Sequence, residues 1–290
     1  VDSLVKKKTL GLISATVLAG LGAAVWYLHA RNFAVLNPAG MIAAKERNLM
    51  IITVLLGVTI GLPVYVMLFG IAWRYREANT KATYSPELSG NAVAETIWWG
   101  VPTIIILILS VITWQTSHSL DPHRAISSST KPLVIQAIAL DWKWLFIYPE
   151  QNIASINYVE LPVKTPVEFQ VTADAPMNSL WIPQLGGQIY AMPGMATQLH
   201  LIADRAGDYR GSSANISGAG FSGMHFIAHA DSEQVFRHWV NNAKQAPQAL
   251  TAGAYTHLVV PSQNLPPEQY SPVQPNLFAS VVLKYMGPRG

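Results

Sequence analysis

The stretch Tyr209-Arg-Gly-Ser-Ser-Ala-Asn-Ile-Ser-Gly-Ala-Gly-Phe-Ser-Gly-Met224 is built almost entirely of small and turn-forming residues, and Arg210 is its single charge. Gly218-Ala-Gly220 is a turn signal. Directly after it, residues 225–230 read as a β-prone run. Further runs of the same kind lie upstream at 133–139, 144–148, 167–172 and 198–202, separated by Pro, Gly, Asn and Asp. That spacing predicts an all-β sandwich or barrel, with 209–224 as one of its loops.

Beyond the β-prone region, residues 231–246 are predicted to be helical. Ser232 is placed to cap the helix, and Val235, Phe236, Trp239 and Val240 recur at helical spacing. Residues 258–275 are proline-rich and read as irregular. Residues 276–286 read as a last short helix, with Leu277, Phe278, Val281, Val282 and Tyr285 on one broad face.

The N-terminal part has a different character. Three apolar runs, 9–28, 49–72 and 97–117, carry no Asp, Glu, Lys or Arg. Each has the length a helix needs to cross a bilayer. Trp73, Trp98, Trp99 and Trp114 stand near their ends, where interfacial belts form. The first run follows Lys6, Lys7 and Lys8, a pattern that fits a signal peptide or a retained anchor. Pro63 and Pro102 fall inside the other two, which membrane helices tolerate as kinks. Putting the lysine triplet and the Arg74, Arg76 and Lys81 loop inside leaves Arg31, Lys45 and Arg47 outside. That arrangement obeys the positive-inside bias and places the C-terminal part outside, in a periplasm-like space.

Composition agrees. Of 290 residues, 50% are hydrophobic and only 12% are charged, with mean hydropathy +0.25. That is too apolar for an ordinary soluble chain. The net charge of +3 is scattered and gives no nucleic-acid footprint. The absence of cysteine excludes disulfides, thiolate metal sites and cysteine nucleophiles. No hydrolase or nucleotide-binding motif is present. The expected organisation is a signal peptide or anchor at 1–30, a transmembrane hairpin at 31–120, a β domain at 121–230 and a helical extension at 231–290.

Several separate motifs carry a resemblance. They are Tyr75-Arg-Glu77 after one span, Glu95 before the next, Asp141-Trp-Lys-Trp-Leu-Phe-Ile-Tyr-Pro149, Asn178-Ser-Leu-Trp-Ile-Pro-Gln-Leu-Gly186 and the 209–224 loop. In order and spacing they resemble subunit II of the haem-copper oxidases, and within that family the bo/ba-type ubiquinol oxidase branch. The resemblance implies a helical hairpin followed by a cupredoxin-like β-barrel with C-terminal helices. The resulting fold class is membrane α plus all-β, with a third, N-terminal helix if the first run is retained.

In the cytochrome c-oxidising members, the matching loop and one upstream histidine hold a two-copper centre. Carried over residue by residue, the ligand positions fall on Asn178, Ser213, Asn215, Ser217, Phe221 and Met224. Only the methionine is kept, and a thioether is a weak ligand. The expectation is that this chain holds no copper centre, no other cofactor and no catalytic residue. Met192, Met195, Met224, His225 and His229 are expected to be structural rather than a metal site. Trp142 and Trp144 are likewise expected to pack the barrel and a subunit interface, with no cytochrome c docking.

The resemblance further implies that subunit I is the main partner and holds the haems and the active-site copper, with ubiquinol as substrate of the complex. Subunits III and IV and membrane lipid complete the expected partners, and the bacterial inner membrane is the expected location. Glu95 matches the family's carboxylate at a proton-channel entrance; otherwise it is a helix-start glutamate favoured by the helix dipole. Relatives carry a lipid-modified cysteine after the signal, whereas the stretch near 29–33 has none. Lipid anchoring there is not expected, so residues 9–28 either remain as a span or are removed by another peptidase. Two other classes stand beside this reading: a free-standing membrane-anchored cupredoxin-like binding protein, and a copper-bearing cytochrome c oxidase subunit II.

Overall fold

The computed structural model describes residues 15, 16, 19, 20, 22–28, 30, 31, 33–83 and 90–286. Residues 9–14, 17, 18 and 21 of the first apolar run lie outside the described residues, and residues 22–28 are helical. Two long helices come next, α1 (Met41–Arg74) and α2 (Ala92–Ser119), and they contain the runs at 49–72 and 97–117. Pro63 and Pro102 lie inside them. The outward sides of both helices are apolar and exposed. Their hydroxyls are internally satisfied: Thr53 donates to the Leu49 carbonyl at 2.9 Å and Thr103 to the Trp99 carbonyl at 2.7 Å. Bonding of this kind lets a polar side chain sit in a segment that meets no water.

The hairpin is fixed to the β domain at both of its upper ends. Ahead of and in the first turn of α1, Ala39 N donates to Gln184 O at 2.7 Å and Ala43 N to Leu185 O at 3.2 Å. The approach is so close that a Cβ on Gly40 would fall 2.3 Å from Ile202 O. After α2, the Pro122 carbonyl accepts from His200 N at 3.2 Å and is 3.0 Å from His200 Nδ1. The β domain therefore abuts the start of α1 and the end of α2. The connection between the helices lies at the far end, roughly 42 Å away along α2 at 1.5 Å per residue.

The β domain is a sandwich of eleven strands in two sheets. One sheet contains β1 (Leu133–Leu140), β2 (Lys143–Tyr148), β3 (Ile153–Ile156), β5 (Pro166–Ala173), β8 (Thr197–Ile202) and β11 (Glu268–Tyr270), in the order β11-β3-β2-β1-β5-β8. The other contains β4 (Tyr158–Pro162), β6 (Asn178–Trp181), β7 (Gln188–Ala191), β9 (Gly207–Ser213) and β10 (His225–Asp231), in the order β4-β10-β9-β6-β7. The pairs β1–β5 and β4–β10 are parallel; the others are antiparallel. The five strand runs expected from sequence are all present.

Between the sheets, Ile135, Trp144, Phe146, Phe169, Leu180 and Phe226 meet in one core. Phe146 and Phe226 have ring centroids 5.0 Å apart, within the range of favourable aromatic contacts. Helix α3 (Glu233–Ala243) adds Phe236, Val240 and Ala243 to this core. Its cap is Ser232, whose hydroxyl accepts from Val235 N at 3.4 Å.

A second core lies on the outer face of the larger sheet. There Ile138, Leu140, Leu145, Ile147 and Ile156 are covered by residues of α4 (Ala252–Val259), β11 and α5 (Leu277–Lys284). In β2, therefore, Trp144, Phe146 and Tyr148 face one core while Leu145 and Ile147 face the other. That is why the strand reads as a continuous apolar run rather than an alternating one. Strand β11 falls within the stretch 258–275 read as irregular, and most of helix α4 lies just before it, at 252–257. In α4, Thr251 caps the helix by accepting from Ala254 N at 3.2 Å.

Candidate functional site

The positions singled out in the sequence converge at one end of the smaller sheet. β6 begins at Asn178, β9 ends at Ser213, and the loop runs on to a short 3₁₀ turn, Phe221–Gly223, before β10. Ser213 Oγ donates to Asn178 Oδ1 at 2.7 Å, and Asn178 Nδ2 donates to Pro176 O at 2.7 Å. Ser179 Oγ donates to Asn215 Oδ1 at 3.0 Å. Asn178, Ser179 and Ser213 are buried. The network is neutral and closes on itself.

The rest of the loop is held by packing. Met224 is fully buried in the core, and its carbonyl accepts from Ser213 N at 3.2 Å. Phe221 opens the 3₁₀ turn and is half-buried. Trp142 Nε1 donates to the Ser217 carbonyl at 3.2 Å. The indole lies so close to the loop that a Cβ on Gly220 would fall 2.3 Å from Trp142 Cδ2. Ser217 Oγ is buried without a hydrogen-bond partner. Between them these positions offer hydroxyls, amides, one thioether and an aromatic ring. None is a thiolate or an imidazole, so the donor set does not fit a dinuclear copper centre.

The other candidate residues are dispersed. Met195 is exposed and Met192 half-exposed, whereas Met224 is in the core. His225 and His229 alternate along β10 with the core residues Phe226, Ala228 and Ala230, and so take its other face. Burial, helped by the Arg210 charge, holds His225 below the ordinary imidazole value despite a backbone hydrogen bond with Ser222. Trp144 is fully buried in the core, and Trp142 packs against the loop.

Glu95 sits at the opposite end of the hairpin, in the first turn of α2. Asn91 caps that helix, accepting from Ala94 N at 3.0 Å. The Glu95 carboxylate is exposed and turns back toward Gly90, where a Cβ would lie 3.1 Å from its Oε1. A carboxylate in the first helical turn is favoured by the helix dipole.

Three further charged features take shape only in the fold. Lys143, almost fully buried, donates Nζ to Val260 O at 2.8 Å, Asp141 O at 3.1 Å and Ser262 Oγ at 2.5 Å. Burial holds its ammonium below the ordinary lysine value. The Asp174 side chain, at the end of β5, accepts from Tyr255 at 2.8 Å, Lys284 at 2.7 Å and Tyr285 at 2.5 Å. Burial pushes this carboxyl up, but the hydrogen bonds outweigh it and hold Asp174 below the ordinary carboxylate value. The third is a row across β4, β10 and β9. His229 Nδ1 lies 2.5 Å from Asp208 Oδ1, and its Nε2 lies 4.0 Å from the buried Glu160 Oε1. Tyr158 donates to Glu160 Oε2. Asp174 stands out in the sequence only as a charge at the end of an apolar strand, and Lys143 only as one residue of the 141–149 motif.

The comparisons with known proteins match this architecture. The cytochrome c oxidase subunit II periplasmic-domain family matches residues 151–230, and the COX aromatic-rich motif matches residues 244–289. Cytochrome bo(3) ubiquinol oxidase subunit 2 of Pseudomonas aeruginosa is 51% identical over 249 residues, covering 86% of this chain and 75% of that protein. Ubiquinol oxidase subunit 2 of Acetobacter aceti is 44% identical over 277 residues, covering 95% of this chain and 87% of that protein. Quinol oxidase subunit 2 of Bacillus subtilis is 37% identical over 257 residues, covering 88% and 77%. With a sandwich that ends in a thiolate-free loop, an extension that matches the aromatic-rich motif, and identities of this size over most of its length, the chain belongs to the ubiquinol oxidase subunit 2 family, the quinol branch of haem-copper oxidase subunit II.

Proposed function

We propose that this chain is the non-catalytic subunit II of a proton-pumping ubiquinol oxidase of a bacterial inner membrane. On this reading subunit I carries the haems, the active-site copper and the oxygen chemistry. The complex oxidises ubiquinol and reduces oxygen to water. The chain braces subunit I through α1 and α2 and caps its outer face with the β sandwich. Subunits III and IV and the surrounding lipid are its other neighbours.

The observation that carries the reading is the Ser213–Asn178 hydrogen bond at 2.7 Å, in a chain that has no cysteine. A cytochrome c oxidase needs a relay at this loop. A quinol oxidase receives its electrons within the membrane and needs none here. The apolar exteriors of α1 and α2 support the brace. The junction of the sandwich with the upper ends of both helices supports a cap on one side of the membrane only.

Glu95 is the proposed carboxylate at the proton-channel entrance. It stands at the end of the hairpin remote from the sandwich, near the basic loop that the charge bias places inside. There it can take protons from the cytoplasmic water layer and hand them to subunit I.

The test is haem and metal analysis of the complex that purifies with this chain, alongside oxygen uptake driven by ubiquinol and by reduced cytochrome c. Two haems, one copper and ubiquinol-driven uptake are expected. Additional copper with cytochrome c oxidation overturns the reading of the loop, and absence of haem overturns membership of an oxidase complex.

A further inference from the structure

A cleft of about 310 Å³ lies where the helical hairpin meets the sandwich. One wall is the first two turns of α1, with Lys45 and Glu46. The second is the segment after α2, with Asp121 and Arg124. The roof is β8 with Leu199 and His200. Its volume is at the small end of the about 300–1,000 Å³ typical of small-molecule sites. The walls are fixed to one another by the hydrogen bonds of Ala39, Ala43 and His200, so the cleft is preformed.

Its charges are unmatched. Lys45 and Glu46 are consecutive on a helix and diverge, so they do not neutralise one another. Among the described residues neither forms an ion pair with any other side chain. Glu46 is half-buried, and its carboxylate has a backbone hydrogen bond from Gly187 but no cation. Arg124 gives Nη1 to the His118 carbonyl at 3.1 Å, leaving most of its fork of donors unused. Asp121 is already engaged, accepting from His123 N at 3.0 Å. The cleft therefore presents two carboxylates and two cations: Asp121 has His123 Nδ1 3.4 Å away, whereas the half-buried Glu46 has no cationic side chain paired with it.

Depth selects the occupant. The uncharged run of α1 begins at Leu49, one turn beyond Glu46, and α2 ends at Ser119, just past Trp114. Lys45, Glu46 and Arg124 therefore stand at the level of the outer lipid headgroups. We infer that this cleft binds the headgroup of a phospholipid bearing a primary ammonium, with Lys45 and Arg124 on the phosphate and Glu46 on the ammonium. A quaternary ammonium has no N–H to give Glu46, and an anionic glycerol headgroup leaves Glu46 unmatched. The inference does not depend on which electron donor the complex uses.

The experiment is native mass spectrometry of the purified complex after delipidation and add-back of dioleoyl phosphatidylethanolamine, phosphatidylcholine or phosphatidylglycerol. Phosphatidylethanolamine is expected to be retained in preference to both. Glu46→Gln is expected to lower its retention about tenfold, as loss of one charged hydrogen bond implies. Lys45→Ala is expected to weaken retention of all three lipids. Haem content serves as the assembly control, and if Glu46→Gln does not assemble, weaker retention of all three lipids in Lys45→Ala with the phosphatidylethanolamine preference kept decides. Phosphatidylglycerol retained as well as phosphatidylethanolamine, or retention indifferent to both substitutions, overturns the inference. Displacement by soluble glycerophosphoethanolamine at equal concentration overturns the lipid as the occupant.

Discussion

Ser213 Oγ gives its proton to Asn178 Oδ1 across 2.7 Å, joining the end of β9 to the start of β6 in a buried position. The bond satisfies a group with no access to water. Ser213→Ala leaves the amide oxygen unpaired and is expected to destabilise the outer domain by about 1–3 kcal/mol. Thermal unfolding of the purified protein followed by circular dichroism measures it; an unchanged midpoint means that the network carries no stability.

The indole of Trp142 occupies the space above Gly220. Gly220→Ala drives a methyl into that ring, with an expected cost of about 1–3 kcal/mol from overpacking. Displacement of the ring also weakens the bond to the Ser217 carbonyl. Tryptophan fluorescence is expected to shift to longer wavelength as the indole gains water, and an unshifted spectrum argues that the loop yields instead.

Asp174 joins the sandwich to the C-terminal extension through Tyr255, Lys284 and Tyr285. Its carboxyl is held below the ordinary value of 3.8. The stabilisation is therefore present above pH 3.8 and is lost as pH falls through the lower folded value. Asp174→Ala is expected to expose residues 244–286 to protease at neutral pH, and acidification of the wild type is expected to do the same. Equal cleavage rates for the two proteins at neutral pH speak against this role.

The row Glu160–His229–Asp208 has the opposite sign. Burial lowers His229, but the Asp208 hydrogen bond and the nearby carboxylates outweigh it and raise the imidazole above 6.5. Burial raises Glu160 above 4.5, though Tyr158 and His229 oppose it. Both groups hold protons more tightly in the fold. The His229 contribution is complete below pH 6.5 and is lost as pH rises through the raised value, and Glu160 adds a loss in the same direction above pH 4.5. The unfolding midpoint is expected to fall between pH 6 and pH 8, with a shallower fall in Glu160→Gln. Identical slopes in the two proteins disconnect Glu160 from His229.

Glu95 projects from the first turn of α2 into solvent at the end away from the sandwich. Glu95→Gln is expected to slow ubiquinol-driven oxygen uptake severalfold, and more so at alkaline pH, where protons are scarce. Wild-type turnover in the variant removes the proton-entry role and leaves the rest of the proposed function intact.

The sequence disclosed what depends on periodicity and on side-chain chemistry. The apolar runs announced α1 and α2, Ser232 and the spacing of Phe236 and Val240 announced α3, and the serines in the 209–224 loop announced a loop without thiolates. It did not disclose strands β3, β4, β6, β7, β9 and β11. These are short, and several, such as β9 with its Gly207 and Gly211, lack β-prone composition and exist because a neighbouring strand supplies the hydrogen bonds. Helix α4 was hidden because prolines come closely after it. The Asp174 cluster was illegible for a different reason: its partners lie more than eighty positions downstream, beyond any local pattern.

Because β2 is apolar on both faces, its outer side needs the cover supplied by residues 250–282. A ribosome delivers those residues only after the strands that they cover. While the chain is threaded across the membrane, Leu145 and Ile147 stay bare until the tail arrives, and Lys143 lacks Val260 and Ser262 until then. The sandwich is thus completed after synthesis has passed it by, and until closure its outer apolar face is open to water.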